Sequence, residues 1–405
     1  MSKLMCYVGL NPVGGSATAN GIAQTEKPRG GGIAVFEVDA DGRSLDYKGC
    51  VPKPAKAGAL NYARETGILY AVDESKTPGR GDQEKGSAVY AFKVDQATGA
   101  LTELNHVPSM GPNPTDILAI PSRKAVYTAS HGGFDHVEKI VRTGDGKWNL
   151  TYDYDSAATA MYALNEDGSV GEVLDVKLHN EHGLDPNRSP QHGGHAQSSG
   201  HAHCTVADPS GKFLLVGDKG SDRIYVYRLE EKSLSVAFIY QFGVYSGARH
   251  IAFDPRNPAR MYITLEFSSE LASFDFDPET GALRELDRIS TTAEGFSGRN
   301  EPATLRVTPD GKYIYVNNRG EDTIITVTAS AEGRLARLHA FQLGQSADPG
   351  IATRQMELTP DAKYLFVPER PAYVIRALEI HEDGHLTDAG ATPVDNPVYE
   401  RFAEL

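Results

Sequence analysis

Two sets of positions recur along the chain at a nearly constant interval, and their residue types are those that bind anions. The first set is Asn11, Glu74, His131, Lys219, Glu266, Arg319 and Arg370; the second is Ala59, Thr115, His203, Arg249, Ala303 and Arg354. Members of the two sets lie sixteen residues apart in four cases (115 to 131, 203 to 219, 303 to 319 and 354 to 370), seventeen from 249 to 266 and fifteen from 59 to 74. Polar residues beside turns are ordinarily wet and carry little information. The chain, however, has 40 Lys+Arg against 54 Asp+Glu, a formal net charge of -14. Solvated turns in such a chain have no reason to collect four arginines and a lysine. A site that holds carboxylate or phosphate does, because guanidinium and ammonium groups make charge-assisted bonds to both.

The elements that place these residues are short strands. The clearest unit is HCTVADPSGKFLLVGDKGSDRIYVYRLEEKSLSVAFIYQF, His203 to Phe242, in which four β-branched and aromatic runs are separated by Asp, Pro and Gly turns. That pattern is one propeller blade. Copies begin at Arg249, Ala303 and Arg354, and two more lie upstream, one from ALNYARETGILYAVDES to VYAFKVDQATGALTEL and one from TDILAIPSRKAVYTASHGG to TAMYALNEDGSVGEVLDV. The seventh copy is split: MCYVGLNP and GGIAVFEVDADGRSLDYKG supply three strands, and the C-terminal VYERFAEL, about 398–405, supplies the missing first one. The fold read from these repeats is all-β, a seven-bladed β-propeller over residues 1–405. Each blade has four antiparallel strands, and the ring is closed by N- and C-terminal strands sharing one blade, which removes an exposed sheet edge. A pair of sandwiches would show a linker and a change of pattern midway, but the frame runs through residue 200 and beyond. Because equivalent positions of stacked blades share one height, and a strand start lies beside the next strand's end, both sets fall at one mouth of the central channel.

Composition narrows the partners. A strongly acidic chain disfavours nucleic acid and anionic membranes, and no apolar run approaches membrane-spanning length. Three cysteines, Cys6, Cys50 and Cys204, are too few and scattered for a disulfide framework, so a reducing, cytoplasmic setting is expected. The pairs Asp208 with Lys212 and Asp310 with Lys312 are read as turn structure. Gly14-Gly15 and Gly30-Gly31-Gly32 precede no helix pattern and are not phosphate loops.

At HAHCTVADPSGKFLLVGDKGSDRIYVYRL, ARHIAFDPRNPARMYITLEFSSEL and DGKYIYVNNRGEDTI the sequence resembles the lactonase family of seven-bladed propellers, which includes 6-phosphogluconolactonases and 3-carboxy-cis,cis-muconate lactonizing enzymes. The resemblance runs over essentially the whole chain. It matches His203, the pair Arg249-His250, Glu266 and Arg319 to the family's site positions. What it implies is a carbohydrate-type lactonase acting on a small anionic lactone or its open-chain acid, with no cofactor. His203 or Glu266 would move protons, and Arg249 and Arg319 would clamp the anion. His131, Lys219, His250, Arg354, Arg370 and Glu74 are expected to bind substrate. The alternatives are a lactone-forming cycloisomerase, which needs a proton delivered to carbon, and a non-catalytic propeller that binds protein at its top face.

Three insertions depart from the family pattern: residues 11–32, residues 132–158 with the only Trp, Trp148, and residues 179–200. The second either caps the mouth or decorates a blade edge. The third contains His179, His182, His192 and His195 and leads into His201 and His203. Its composition invites a metal, but no spacing completes a recognised ligand set, so no metal is expected.

Overall fold

The computed structural model describes residues 3–12, 30–77, 86–189 and 191–405, so most of the 11–32 insertion lies outside the described residues. Seven four-stranded antiparallel sheets follow one another along the chain, as the repeats require. Blades 2 to 7 open with Ala57–Ala63, Pro114–Ile120, Ala202–Ala207, Ala248–Asp254, Glu301–Val307 and Glu357–Leu358. Blade 1 takes its first strand from Pro397–Glu404, which pairs antiparallel with Leu4–Leu10, Leu4 opposite Glu404 and Gly9 opposite Tyr399. First strands pack beside one another around the centre.

Sequence pattern follows position in the blade. Second strands are sandwiched by neighbouring blades and are mostly buried, along their whole length in Ile68–Asp73, Phe213–Asp218 and Ile314–Arg319. Fourth strands face solvent on one side and alternate, as in Leu335–Gln342. Successive blades are tied by tyrosines: the hydroxyls of Tyr7, Tyr70 and Tyr315 donate to the carbonyls of Gly99, Gly168 and Gly384 at 2.9, 2.9 and 3.2 Å. Each acceptor is a turn glycine of the next blade. Lys212, read from sequence as the partner of Asp208, instead reaches Glu279 of blade 5 at 2.8 Å, and Asp208 accepts the backbone N–H of Phe213.

One irregularity repeats. In blades 2 to 6 the pairing between first and second strands skips a residue near the channel mouth, between Ala57 and Ala59, Pro114 and Asp116, Ala202 and Cys204, Ala248 and Ile251, and Pro302 and Leu305. Blade 1 does the same at Val398, between the partners of Gly9 and Leu10. These are β-bulges, which release one residue from the ladder and re-aim its side chain. The released residues are Gly58, Thr115, His203, the Arg249-His250 pair, the Ala303-Thr304 pair and Val398. In blades 3 to 6 the second set of recurring positions falls on these bulges, while Arg354 of blade 7 precedes its short first strand. Blade 2 corrects one member: it contributes Gly58, not Ala59, and the interval from 58 to 74 becomes sixteen, as in four of the other blades.

The 132–158 insertion emerges between the second and third strands of blade 3 as a hairpin, His136–Arg142 paired with Trp148–Tyr154. Trp148 is 71% exposed, and Ile140, Leu150 and Tyr152 are exposed beside it. Asp155 at its foot pairs with Lys76. The 179–200 segment crosses the mouth-side loops of three blades: Asp185 accepts from Tyr245 (2.8 Å), Gln197 donates to the Lys219 carbonyl (3.0 Å), and Gln191 accepts from Arg299 (3.4 Å). No helix among the described residues is long and apolar enough to cross a membrane.

Two outcomes test this architecture. An added Cβ at Gly58 would sit 2.5 Å from Oε2 and 2.6 Å from Cβ of Glu74, so Gly58→Ala should destabilise the protein by about 1–3 kcal/mol, read as a lowered midpoint in thermal denaturation; an unchanged midpoint would refute the close approach. Arg401 braces the seam, meeting Glu357 of blade 7 at 2.7 Å, the Leu60 carbonyl of blade 2 at 3.2 Å and the Tyr399 hydroxyl at 3.1 Å. Arg401→Met should cost about 2–4 kcal/mol in chemical denaturation, whereas a seam that closes without this brace would leave stability unaltered.

Candidate active site

The mouth is a cavity of about 730 Å³, counted to its open rim, whose lining includes Lys56, Glu74, His131, His203, Lys219, Arg249, Arg319 and Arg354. Seven of the residues singled out from sequence thus meet in one place, and Asn11 and Thr115 of the recurring sets join them. Glu266 lies just behind this wall, 1% exposed. Its Oε1 is 2.9 Å from Lys219 Nζ, and its Oε2 is 2.6 Å from Arg249 Nε and 3.1 Å from Arg319 Nη2. The Arg249 contact is an ion pair that lacks the angle of a hydrogen bond. Burial alone would raise the Glu266 pKa, but Lys219, Arg319 and Arg249 outweigh it and hold the carboxyl far below its ordinary range.

The other positions have distinct surroundings. Arg319 also reaches Glu301, at 2.7 Å. Arg354 makes a two-pronged bond to Glu74, Nη1 to Oε1 at 3.0 Å and Nη2 to Oε2. Arg370 is not in the lining; it has no carboxylate partner among the described residues, its Nη1 donating to the carbonyl of the lining residue Gly350 at 3.2 Å and its Nε to Asn396 Oδ1 at 3.3 Å. Burial and then the Arg354 charge push its pKa down to about 9, and burial with Arg319 takes Arg249 to about 10. Among the described residues five cations line the mouth (Lys56, Lys219, Arg249, Arg319 and Arg354) and three carboxylates (Glu74, Glu266 and Glu301) pair with them. A surplus of positive charge is therefore built into a chain of net charge -14.

The histidines sort into roles. His203, the bulge residue of blade 4, stands in the wall; burial first, then Arg249 and Lys219, drive its pKa well below the ordinary imidazole value, so it is a neutral proton acceptor. His131 stacks on His201 with ring centroids 4.3 Å apart, and Phe134 at the foot of the hairpin packs edge-on against both. Phe134 also lies under Lys219 Nζ, 5.5 Å from its ring centroid. His179 is a structural residue, bonded to Asp218 (3.2 Å) and Thr159 (2.9 Å). His182 bonds the Gly183 carbonyl at 2.8 Å. Among the described residues no group of three His, Cys, Asp or Glu side chains converges as a metal site. His250 is absent from the mouth and lines a second chamber beneath it. Sequence reasoning missed Lys56, Asn113, Phe134 and Gly350, which reach the mouth from connections outside the recurring positions.

The comparisons agree with this geometry. A 6-phosphogluconolactonase of Bacillus subtilis (strain 168) is 27% identical over 328 residues, covering 80% of this chain and 77% of its own length. The periplasmic gluconolactonase PpgL of Pseudomonas aeruginosa superposes with a TM-score of 0.77 at 22% identity, over 99% of this chain and 98% of that one. A protein from Lactobacillus plantarum superposes with a TM-score of 0.74 at 23% identity over the full length of both chains. These two structures share the fold. The sequence model of the family described as "Lactonase, 7-bladed beta-propeller" matches residues 20–402, nearly the whole ring with its bulges and its mouth, and the chain belongs to that family.

Proposed function

We propose that the protein is a lactonase that hydrolyses a small anionic lactone, sugar-acid or carboxylate-bearing, at this mouth. The observation that carries the reading is the neutral His203 set among Lys219 and Arg249 in a cavity with surplus positive charge. The B. subtilis relative named 6-phosphogluconolactonase supports it. Ring opening requires a base to take a proton from water and cations to stabilise the oxyanion on the carbonyl. His203 is the base. Lys219 and Arg249 face the developing charge. Glu266, held ionised by three cations, is a poor proton carrier, and its role is to fix those cations in place. Arg319 and Arg354 hold the remaining anionic group, with Glu74 orienting Arg354 and His131 shaping the wall. No cofactor enters the reaction, and three free cysteines fit a cytoplasmic setting.

The test is turnover on a panel of sugar lactones, phosphorylated sugar lactones and muconolactones, followed by proton release. His203→Ala should lower kcat/KM by about 10²–10⁴-fold while remaining folded; full activity in that variant, or wild-type protein that turns over none of the panel, would reject the reading. Ring closure of an open-chain acid in the reverse assay would mark a cycloisomerase instead. Glu266→Gln should lose activity and about 3–5 kcal/mol of stability, because three cations then face one another.

The pH profile gives a second check. An ordinary imidazole titrates near pH 6.5, and a base titrating there would lose activity as pH falls from 7 to 6. His203 is depressed by burial, Arg249 and Lys219, so it stays unprotonated across that interval. The expected kcat/KM shows no inflection at the ordinary imidazole position near 6.5, and an inflection there that disappears in His203→Ala would contradict the assignment.

A further inference from the structure

Beneath the mouth the channel opens into an inner chamber of about 380 Å³, lined by bulge residues of blades 1 to 6 together with Arg354 and Gln355 of blade 7. Two side chains in its wall present hydrogen-bond donors with no acceptor among the described residues. Arg306 Nη1 lies 3.5 Å from His250 Nε2. A guanidinium only donates, so Nε2 is the acceptor and the neutral ring carries its proton on Nδ1. That Nδ1 is buried without a protein partner. Gln355 is 3% exposed, and the Thr304 hydroxyl lies 2.5 Å from its Oε1 and 3.0 Å from the Arg354 carbonyl. Its Nε2 is likewise buried and unpartnered. The occupant must therefore accept hydrogen bonds.

Glu74 and Asp116 share the same wall with Arg249 and Arg354; Arg354 is paired to Glu74 and Arg249 to Glu266, so the chamber has no surplus of positive charge to call for an anion. His203 lines both compartments. We propose that the inner chamber seats the water that opens the lactone ring, held from below by His250 Nδ1–H and Gln355 Nε2–H while the lactone occupies the mouth. This rests on the lactonase reading. Donors engage the oxygen of the water, so its hydrogens turn to the acceptor at hand, the neutral His203. In the reaction the water oxygen bonds to the carbonyl carbon, its proton passes to His203, and the carbonyl pair moves to oxygen. Collapse of that oxyanion breaks the ring C–O bond, and His203 returns the proton to the departing alkoxide. Lactone and one water become one hydroxy acid. His250 and Gln355 are positioning residues: they touch the water and not the lactone.

The experiment pairs kinetics with a crystal structure of the full chain at a resolution that orders water. His250→Phe and Gln355→Met should each lower kcat about tenfold or more with KM changed less than about twofold, and His250→Asn, whose amide N–H reaches the place of Nδ1, should restore most of kcat. Thermal melts identify folded variants, and either one alone suffices. The crystal should show water within hydrogen-bond distance of both donors. Wild-type turnover with kcat undiminished in both variants, a KM effect as large as the kcat effect, or a chamber that is dry or holds an anion overturns the water seat and leaves the lactonase reading standing. Wild-type protein without turnover on any lactone overturns both.

Discussion

The site depends on one buried carboxylate. Lys219, Arg249 and Arg319 come from three successive blades, and each points its charge at Glu266. In a poorly solvated channel three cations at that spacing would repel one another strongly. The carboxylate makes their convergence tolerable, and because it is outnumbered it leaves positive potential for a ligand. This fixes the division of roles at the mouth. A group whose ionised form is held so firmly cannot trade protons near neutrality, so in the proposed reaction proton transfer is assigned to His203, which burial, Arg249 and Lys219 keep uncharged. The cluster thus holds both candidate residues deprotonated, Glu266 as a charged carboxylate and His203 as a neutral ring.

The bulges turn a regular ring into an irregular interior. Strict alternation would leave first-strand side chains paired in the ladder and facing neighbouring strands. Releasing one residue in each of six blades places glycine, threonine, histidine, arginine and valine at comparable heights with freedom to differ. Chemical variety at a symmetric position is how a repeated scaffold acquires an asymmetric pocket. Blade 5 shows the effect most clearly: Arg249 serves the mouth and the chamber, while its neighbour His250 serves the chamber alone.

Much of this was legible in the sequence, for a physical reason. Strand period, turn residues and burial repeat with the blade, so the ring, its terminal closure and the shared height of Glu74, His131, Lys219, Glu266 and Arg319 follow from counting. The fifteen-residue interval at Ala59 held the trace of something else. It marked the bulge at Gly58, which counting by similarity misassigned because alanine looks like a column member and glycine does not. Lys56, Asn113 and Phe134 were hidden because they belong to connections, whose paths no periodicity constrains. Gln355 was hidden because the innermost strand of blade 7 is only Glu357–Leu358, and its approach carries no pattern. The insertion at 132–158, whose length left a cap over the mouth and an ornament on a blade edge both open, meets the mouth through Phe134 while Trp148 on its hairpin stays in solvent.

Closure of the ring has a temporal side. The strand Leu4–Leu10 is made long before its partner Pro397–Glu404. During synthesis from the N-terminus, one edge of blade 1 therefore waits for the six other blades to be made, with its backbone N–H and C=O groups unpaired. Such an edge is a template for a wrong partner. Val398 and Tyr399, which wall the inner chamber, arrive on that same late strand. The nascent protein thus has no finished interior until Pro397–Glu404 docks, and a chain cut short before that strand would expose an unpaired edge and lack part of the chamber wall.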